Sequence, residues 1–247
     1  LRSTQQTQNL MANELATAIA QKEFQLHYRP IFQTKTSQYS GAEPMLRWLH
    51  PQRGMVSPAR FLPQLAKLPI EETVAQWMLE TACTLASKWP KDKNVFFTAF
   101  KSQLESRTLA DTLLATLEKI PLKPQRLVFQ IAESHLTTLS EGMLFQLVKL
   151  QAGGVRIIIS QYGTSNLSLP QMRNLPINGL KIDPTLTGRL ETNGQLIRGI
   201  TALSKSLGLT IMADGVATAK QLNTLAKLGC EACQGLHIGT PKPDIQF

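Results

Sequence analysis

Two periods of apolar residues alternate along this chain, and each period predicts a different element. Residues 24–32 (FQLHYRPIF) and 39–49 (YSGAEPMLRWL) are rich in β-forming residues and alternate as strands do, and the polar QTKTSQ joins them. A helix is predicted over 57–68, with Ser57 at its N-cap and Pro58 at its first position. The apolar spacing of 71–89 predicts a second, amphipathic helix.

From residue 94 onward the chain repeats a strand followed by a helix. The predicted strands are 94–100, 126–134, 155–160, 177–183, 209–215 and 230–239, and the helical segments between them are 109–120, 140–154, 168–175, 194–208 and 218–229. Such alternation predicts a parallel sheet covered on both faces. Six strands after the initial pair make eight, which indicates an α/β barrel. The alternative is an open doubly wound sheet, although no G-x-G-x-x-G follows the first strand.

Length and composition are those of a soluble globular domain. The chain has 247 residues, of which 43% are hydrophobic and 17% charged. No run reaches the roughly 18 apolar residues of a membrane span, and the first residues lack a signal-peptide core. We therefore expect a cytoplasmic protein with no membrane segment here. Residues 1–9 are predicted to be a linker or the tail of a preceding region, and residues 10–247 the barrel domain.

Charge and cysteine content limit the partners without naming one. The 26 Lys and Arg against 17 Asp and Glu give a net charge of +9. This excess is explained either by a basic solvated surface or by an anionic partner such as a nucleotide, RNA or an acidic protein. Of three cysteines, Cys230 and Cys233 form a C-x-x-C with no second pair nearby, so buried thiols are predicted rather than a zinc site.

Polar side chains fall where the predicted strands end. In a barrel these positions converge on one pocket, however far apart they are in sequence. They are Glu43, Arg47, Thr98, Gln130, Glu133, Ser160, Gln161, Lys181, Asp183, Asp214 and Gln234. The loop after the buried strand RIII is chemically mild, because Ser160 and Gln161 carry no ionisable group.

Several of these positions lie in motifs that resemble one family across nearly the whole chain. GAEPMLRW (41–48), HPQRGMVSP (50–58), LPINGLKID (175–183), ADGVAT (213–218) and LGCEACQGL (228–236) are similar to ordered motifs of the EAL domain, the cyclic-di-GMP phosphodiesterase family. The resemblance implies an α/β fold, a modified TIM (β/α)8 barrel whose first strand is antiparallel to the rest. The family signature E-A-L is Glu43-Pro44-Met45 here.

The resemblance also implies a reaction whose residues are altered in this chain. Family members hydrolyse one phosphodiester with two divalent metals held mainly by carboxylates. Here Gln130 replaces a Glu, and Ser160 and Gln161 replace both aspartates of D-D-F-G, while Glu43 and Lys181 are kept. We therefore expect no phosphodiesterase activity, no catalytic residue, no metal and no cofactor.

Loss of the acids favours an anionic ligand bound without metal. Arg47 stands where family members contact a ligand phosphate, and Arg29 stands where the family usually has Gln beside the ligand. The residues predicted to bind the ligand are Arg29, Pro30, Glu43, Met45, Arg47, Ser57, Pro58, Phe61, Lys181, Asp183, Asp214, Gln234, Gly235 and Pro241. In contrast, Thr240 replaces an Arg of the family ending.

Three functions follow from this pattern. The first is a catalytically inactive EAL domain that acts as a cyclic-di-GMP receptor and relays the signal to a partner protein. The second is a protein-interaction scaffold that no longer binds the nucleotide, and the third is a residual enzyme with rearranged metal ligands. The resemblance further implies neighbouring domains, such as a GGDEF or sensor domain, and a possible homodimer.

Overall fold

The computed structural model describes residues 11–247. Its strands are β1 (Phe24–Gln33), β2 (Gln38–His50), β3 (Gly54–Val56), β4 (Asn94–Thr98), β5 (Leu127–Ala132), β6 (Arg156–Tyr162), β7 (Gly179–Ile182), β8 (Thr210–Ala213) and β9 (Ala232–Cys233). Its helices are α1 (11–18), α2 (Pro58–Leu65), α3 (Ile70–Ser87), α4 (Lys101–Glu105), α5 (Leu109–Glu118), α6 (Glu133–Leu136), α7 (Glu141–Ala152), α8 (Leu169–Arg173), α9 (Pro184–Gly188), α10 (Leu190–Ser206) and α11 (Ala219–Leu228). A 3₁₀ turn at Pro124–Arg126 precedes β5. The predicted linker, residues 1–9, lies outside the described residues.

The first strand closes the sheet into a barrel. β1 pairs antiparallel with both β2 and β9, whereas β2 and β4 to β9 pair parallel in succession. β3 folds back on β2 as a hairpin outside this ring. Eight strands therefore form a closed barrel with an antiparallel first strand, as the resemblance implied.

Apolar residues fill the barrel from two sides. A large buried cluster lies between the strands and the surrounding helices, and its fully buried members include Phe97, Phe129 and Ile159. A second cluster fills one end of the barrel interior, and it contains Ile31, Phe96, Val128, Ile158, Met212 and Ala232. Because successive residues of a strand point to opposite faces, the same strands supply both clusters.

The longer elements match the predictions, and the differences concern short segments. β3, α4, α6 and α9 were not predicted, because elements of three to five residues give no measurable period. The strand predicted over 230–239 shrinks to Ala232–Cys233. Ser57 occupies the N-cap of α2 with Pro58 at the first helical position, but the Ser57 side chain makes no capping hydrogen bond.

The three cysteines are free and buried, as predicted. Burial raises the pKa of each of the Cys83, Cys230 and Cys233 thiols to about 12, so each is a protonated core group. No helix in the described part of the chain is both long and apolar enough to cross a bilayer.

Gly41 is predicted to be essential for closing β2 onto β4. Its φ is +150°, and a Cβ there would overlap the backbone of Asn94, its partner on β4. Gly41→Ala should therefore lower the free energy of unfolding by about 3 kcal/mol or more. Urea denaturation measures the change.

The matched control is Gly199→Ala, in the exposed middle of α10, where a Cβ meets nothing within 4 Å. This variant should raise the free energy of unfolding by roughly 0.5–1 kcal/mol, because alanine loses less entropy in a helix. Equal stability of the two variants would contradict the role assigned to Gly41.

Candidate functional site

A layer of polar side chains lies directly above the apolar end of the barrel. Five of them follow a member of the inner apolar cluster by two residues, as Thr98 follows Phe96 and Asp214 follows Met212, so they share its face. On the antiparallel β1, Arg29 precedes Ile31 by two. The layer comprises Arg29, Glu43, Thr98, Gln130, Ser160, Lys181, Asp214 and Gln234. Every strand of the ring thus contributes one polar residue to this level.

Glu43 occupies the centre of this layer and is only 8% exposed. Five donors contact its two carboxylate oxygens: Thr98 Oγ1 (2.8 Å) and Gln130 Nε2 (2.9 Å) at Oε1, and Gln234 Nε2 (2.8 Å), Arg29 Nη2 (3.0 Å) and Lys181 Nζ (3.1 Å) at Oε2. A buried carboxylate with this many donors keeps its charge. Burial alone would raise the pKa of Glu43, but Lys181 and Arg29 hold that pKa well below its ordinary value.

Asp214 is the second anion of the layer and meets the same two cations. Arg29 Nη2 lies 2.8 Å from Asp214 Oδ2, and Lys181 Nζ lies 3.8 Å from that oxygen. Burial opposes the charge of Arg29, yet the two carboxylates raise the pKa of its guanidinium above the ordinary value. Two cations and two anions therefore form one compact group, here called the ion cluster (Arg29, Glu43, Lys181 and Asp214).

Gln130 connects the ion cluster to Thr98, another residue of the polar layer, through both ends of its amide. Its nitrogen donates to Glu43 Oε1 and to Thr98 Oγ1, and its oxygen accepts from Lys181 Nζ at 3.1 Å. A carboxylate in this place would accept from Lys181 but would repel Glu43. The neutral amide therefore suits a site whose charges are already balanced.

A ribbon of β1, β2 and β3 rises beside the polar layer and forms one wall of the barrel mouth. Cross-strand pairing places Arg47 opposite Gln25, Met45 opposite His27 and Leu49 opposite Met55. By alternation, Met45, Arg47 and Leu49 share the face of Glu43. We call the set of His27, Met45, Arg47, Leu49 and Met55 the mouth wall.

Arg47 is the cation of the mouth wall, and no carboxylate in the described part of the chain forms an ion pair with it. Its Nη1 donates to the carbonyl oxygen of its neighbour Leu46 at 3.0 Å. Burial, and then repulsion from Arg29, lower the pKa of the Arg47 guanidinium. Its surroundings therefore favour a bound anion, whereas the ion cluster has its anions already.

Comparison with known proteins agrees with this architecture. The sequence profile of the EAL domain matches residues 12–241. The chain belongs to the EAL domain family. A relative, bifunctional diguanylate cyclase/cyclic di-GMP phosphodiesterase MucR of Pseudomonas aeruginosa, is 31% identical over 249 residues, which cover 98% of this chain and 36% of MucR. Signaling protein YkoW of Bacillus subtilis is 31% identical over 242 residues, covering 94% of this chain and 30% of YkoW.

A solved structure described as PaMucR phosphodiesterase in complex with c-di-GMP superposes with a TM-score of 0.91 at 31% identity. The match covers 95% of this chain and 98% of that chain. The chain itself spans only about a third of the length of the two curated relatives, 36% and 30%. The fold and the family of this EAL domain are therefore established.

The side chains of this EAL domain do not fit the two divalent metals that the resemblance implies. In the described range 11–247, no group of three or more His, Cys, Asp or Glu is close enough to hold a metal ion. Ser160 lies buried on β6, and Gln161 is exposed with a left-handed φ of 54°. The two acids of the polar layer, Glu43 and Asp214, already contact protein cations.

Glu133, the acid that survives at the end of β5, organises a loop instead. It is buried, and its Oε2 accepts hydrogen bonds from three successive backbone amides, those of Gly163 (2.9 Å), Thr164 (3.1 Å) and Ser165 (2.9 Å). This carboxylate therefore fixes the loop that follows β6, and these hydrogen bonds do not involve the ion cluster.

The structure brings together only part of the predicted ligand set. Arg29, Glu43, Lys181, Asp214 and Gln234 meet in the polar layer, and Met45 and Arg47 lie on the mouth wall. Arg29 and Lys181 were predicted to bind the ligand, and in the protein without ligand they contact two carboxylates. Both cations are engaged by Glu43 and Asp214, so the ion cluster has no excess positive charge.

The side chains of two predicted ligand residues stabilise the fold. Phe61 is 0% exposed and packs against the rings of Phe24 and Trp48, so it offers no surface to a ligand. Asp183 is buried and caps α9, where its Oδ1 accepts from the backbone nitrogen of Thr185 at 2.7 Å. Both residues occupy the positions expected from the family motifs, but their side chains pack in the core or cap a helix.

The remaining predicted residues are Pro30, Ser57, Pro58, Gly235 and Pro241. Pro30 faces away from Arg29 and lines a groove of about 690 Å³ with Leu236 and Thr240. Gly235 has a φ of +151° and no room for a Cβ beside the backbone of Val216. Ser57 and Pro58 begin α2 after the β3 hairpin, and the backbone of Pro241 partly offsets the lowering of the His27 pKa.

Three mouth-wall residues were missed by the sequence reasoning. His27 precedes Arg29 by two positions on the same face of β1, and burial together with Arg47 lowers the pKa of its imidazole. Leu49 follows Arg47 by two and is 44% exposed, opposite Met55, which is 52% exposed. Strand alternation from Arg29 and Arg47 could have identified His27 and Leu49. Met55 could not be identified, because the hairpin that positions it was not predicted.

Glu43 is predicted to be the main electrostatic support of the barrel mouth. Glu43→Gln leaves Arg29 and Lys181 short of an anion and should lower the free energy of unfolding by about 3–5 kcal/mol at neutral pH. Glu105→Gln, which removes an exposed i,i+4 pair with Lys101, should change it by less than about 0.5 kcal/mol. Urea denaturation of the two variants compares them.

The pH dependence of stability should distinguish wild type from Glu43→Gln. Because the pKa of Glu43 is lowered on folding, its contribution is complete above its ordinary value of 4.5 and disappears as pH falls through the folded pKa. Wild type should lose stability below pH 4.5 more steeply than Glu43→Gln. Parallel pH profiles would refute the ionised, donor-bound state of Glu43.

Proposed function

We propose that this EAL domain is a catalytically inactive receptor that binds cyclic-di-GMP without metal and relays the signal to a partner protein. The observation that carries the proposal is the distribution of charge. Both acids of the ion cluster are neutralised by protein cations, while Arg47 on the mouth wall has no carboxylate partner in the described residues. Such a mouth favours an anion over a cation.

Arg47 is the group proposed to bind a phosphate of the nucleotide. A guanidinium presents a planar fork of donors that matches two phosphate oxygens, and it stays charged at any physiological pH. Burial and Arg29 lower the pKa of Arg47, so a bound phosphate would relieve an unfavourable environment. The MucR structure in complex with c-di-GMP supports this choice of ligand, because its fold matches this chain almost completely.

The apolar part of the mouth wall suits the bases of the nucleotide. Met45, Leu49 and Met55 are partly or largely exposed around Arg47. Thioether and aliphatic side chains adapt to flat aromatic surfaces.

Two polar atoms below the mouth wall are unsatisfied: Arg29 Nε and Gln234 Oε1 are buried without a hydrogen-bond partner among the described residues. A polar ligand at the mouth that reached these atoms would compensate two unsatisfied groups.

Inactivity is proposed from the chemistry of the donors. Metal-assisted hydrolysis needs carboxylates that are available to hold the metals and activate water. In the polar layer, Gln130 and Ser160 are neutral, and Glu43 already accepts five hydrogen bonds. MucR carries phosphodiesterase in its name, so the proposal separates this chain from that relative by these side chains.

The binding prediction is tested by calorimetric titration of cyclic-di-GMP into the protein, once with EDTA and once with Mg²⁺. The affinity should be the same in both. Arg47→Ala should weaken binding roughly 30-fold or more, the usual loss when one partner of a desolvated charge pair is removed. Arg198→Ala, an exposed arginine on α10, should leave the affinity within about twofold.

A Kd unchanged by Arg47→Ala would overturn the assignment of the phosphate site. The absence of saturable binding in both titrations would favour the second function, a protein-interaction scaffold. Two observations point in that direction: Arg29 is held inside the ion cluster, and Thr240 supplies no charge at the mouth. The partner protein, further domains and a homodimer are proposals of the same kind.

Hydrolysis is predicted to be absent. Incubation of cyclic-di-GMP with the protein and Mg²⁺ or Mn²⁺ should yield no linear dinucleotide above the protein-free reaction. A product that forms in proportion to the protein and disappears in Glu43→Gln would show a residual enzyme and overturn the inactive assignment. Chromatography of the nucleotides distinguishes the two outcomes.

A further inference from the structure

The ion cluster contains cations of its own where the resemblance implies divalent metal. We infer that Arg29 and Lys181 are fixed counter-ions of Glu43 and Asp214, and that Arg29 is the residue that keeps a divalent cation from binding this pair of acids. This inference concerns the protein without nucleotide, so it goes beyond the proposed function and is tested separately from it.

The geometry is that of two cations bridging the same two oxygens. Arg29 Nη2 lies 3.0 Å from Glu43 Oε2 and 2.8 Å from Asp214 Oδ2. Lys181 Nζ lies 3.1 Å and 3.8 Å from those same atoms. Glu43 Oε2 and Asp214 Oδ2 therefore each face both protein cations.

Charge balance explains why a metal gains little in the wild-type protein. Two positive and two negative side chains leave the cluster formally neutral. A divalent cation must exchange most of its water for protein oxygens, which is unfavourable unless negative charge compensates it. Beside two fixed cations it would also experience direct repulsion. The cluster thus excludes metal even though two acids and several neutral oxygens lie close together.

Arg29 is the more effective of the two cations in this respect. It makes the shorter contact with Asp214, and 21% of its side chain is exposed, more than that of Asp214 at 14%. Lys181 is 3% exposed and also donates to Gln130, deeper in the barrel. Replacing Arg29 by a neutral side chain would give the cluster a net negative charge on its open side.

The test uses Arg29→Gln, a neutral side chain that carries an amide oxygen. Thermal unfolding is recorded in EDTA and in millimolar Mg²⁺ or Mn²⁺ at constant ionic strength. Wild type should show no metal-dependent change in Tm. The Tm of Arg29→Gln should fall in EDTA and rise by roughly 2–4 °C when the cation exceeds its Kd several-fold.

Two variants serve as matched controls. Arg29→Lys keeps the charge and should remain insensitive to metal. Arg47→Gln removes the neighbouring cation of the mouth wall, which touches neither acid, and should also remain insensitive. A metal response limited to Arg29→Gln therefore reports the ion cluster rather than a general loss of positive charge.

The inference fails if wild type gains Tm with Mg²⁺ or Mn²⁺, or if folded Arg29→Gln does not respond. If Arg29→Gln does not fold in EDTA, refolding from urea is compared in Mg²⁺ and in NaCl of equal ionic strength. Recovery of folded protein in Mg²⁺ alone supports the inference, and equal recovery or none in both salts overturns it. No step involves the nucleotide, so the result is independent of the proposed receptor function.

Discussion

The buried negative charge of Glu43 is the constraint on which the barrel mouth depends. A carboxylate inside a barrel is tolerated only when cations and donors surround it, since an uncompensated buried charge destabilises by several kcal/mol. Here an arginine from β1, a lysine from β7 and polar side chains from β4, β5 and the end of β9 all converge on two oxygens. One side chain thus links five parts of the ring.

The same alternation that builds the barrel also separates its interior into two levels. Apolar residues of one face fill one end of the barrel interior, and on five strands the residue two positions further along belongs to the polar layer above them. Because β1 is antiparallel, its order is reversed: Arg29 of the polar layer precedes the apolar Ile31 instead of following it. The β3 hairpin then extends the wall beyond the ring and adds Leu49 and Met55 to the mouth.

Function follows from which charges are satisfied and which are not. Within the polar layer, the two cationic and two anionic side chains balance in charge. Gln130, which bonds to Glu43 and Lys181, adds no charge to this balance. On the mouth wall, Arg47 has no carboxylate partner in the described residues and is flanked by apolar side chains. The proposed anion-binding, inactive site rests on this distribution of charge. The proposals of a receptor and of built-in counter-ions share that origin.

Much of this protein was determined by local sequence. The period of two in β1 and β2 and the alternation of strand and helix from residue 94 predicted a barrel, and the resemblance of the ordered motifs implied its antiparallel first strand. The replacement of acids by Gln130, Ser160 and Gln161 was also visible without coordinates. The tertiary structure decided how the remaining charges pair, because Arg29 and Asp214 are 185 positions apart and meet only when the barrel closes. It also placed Phe61 in the core, since side-chain direction depends on packing between elements rather than on the residue itself.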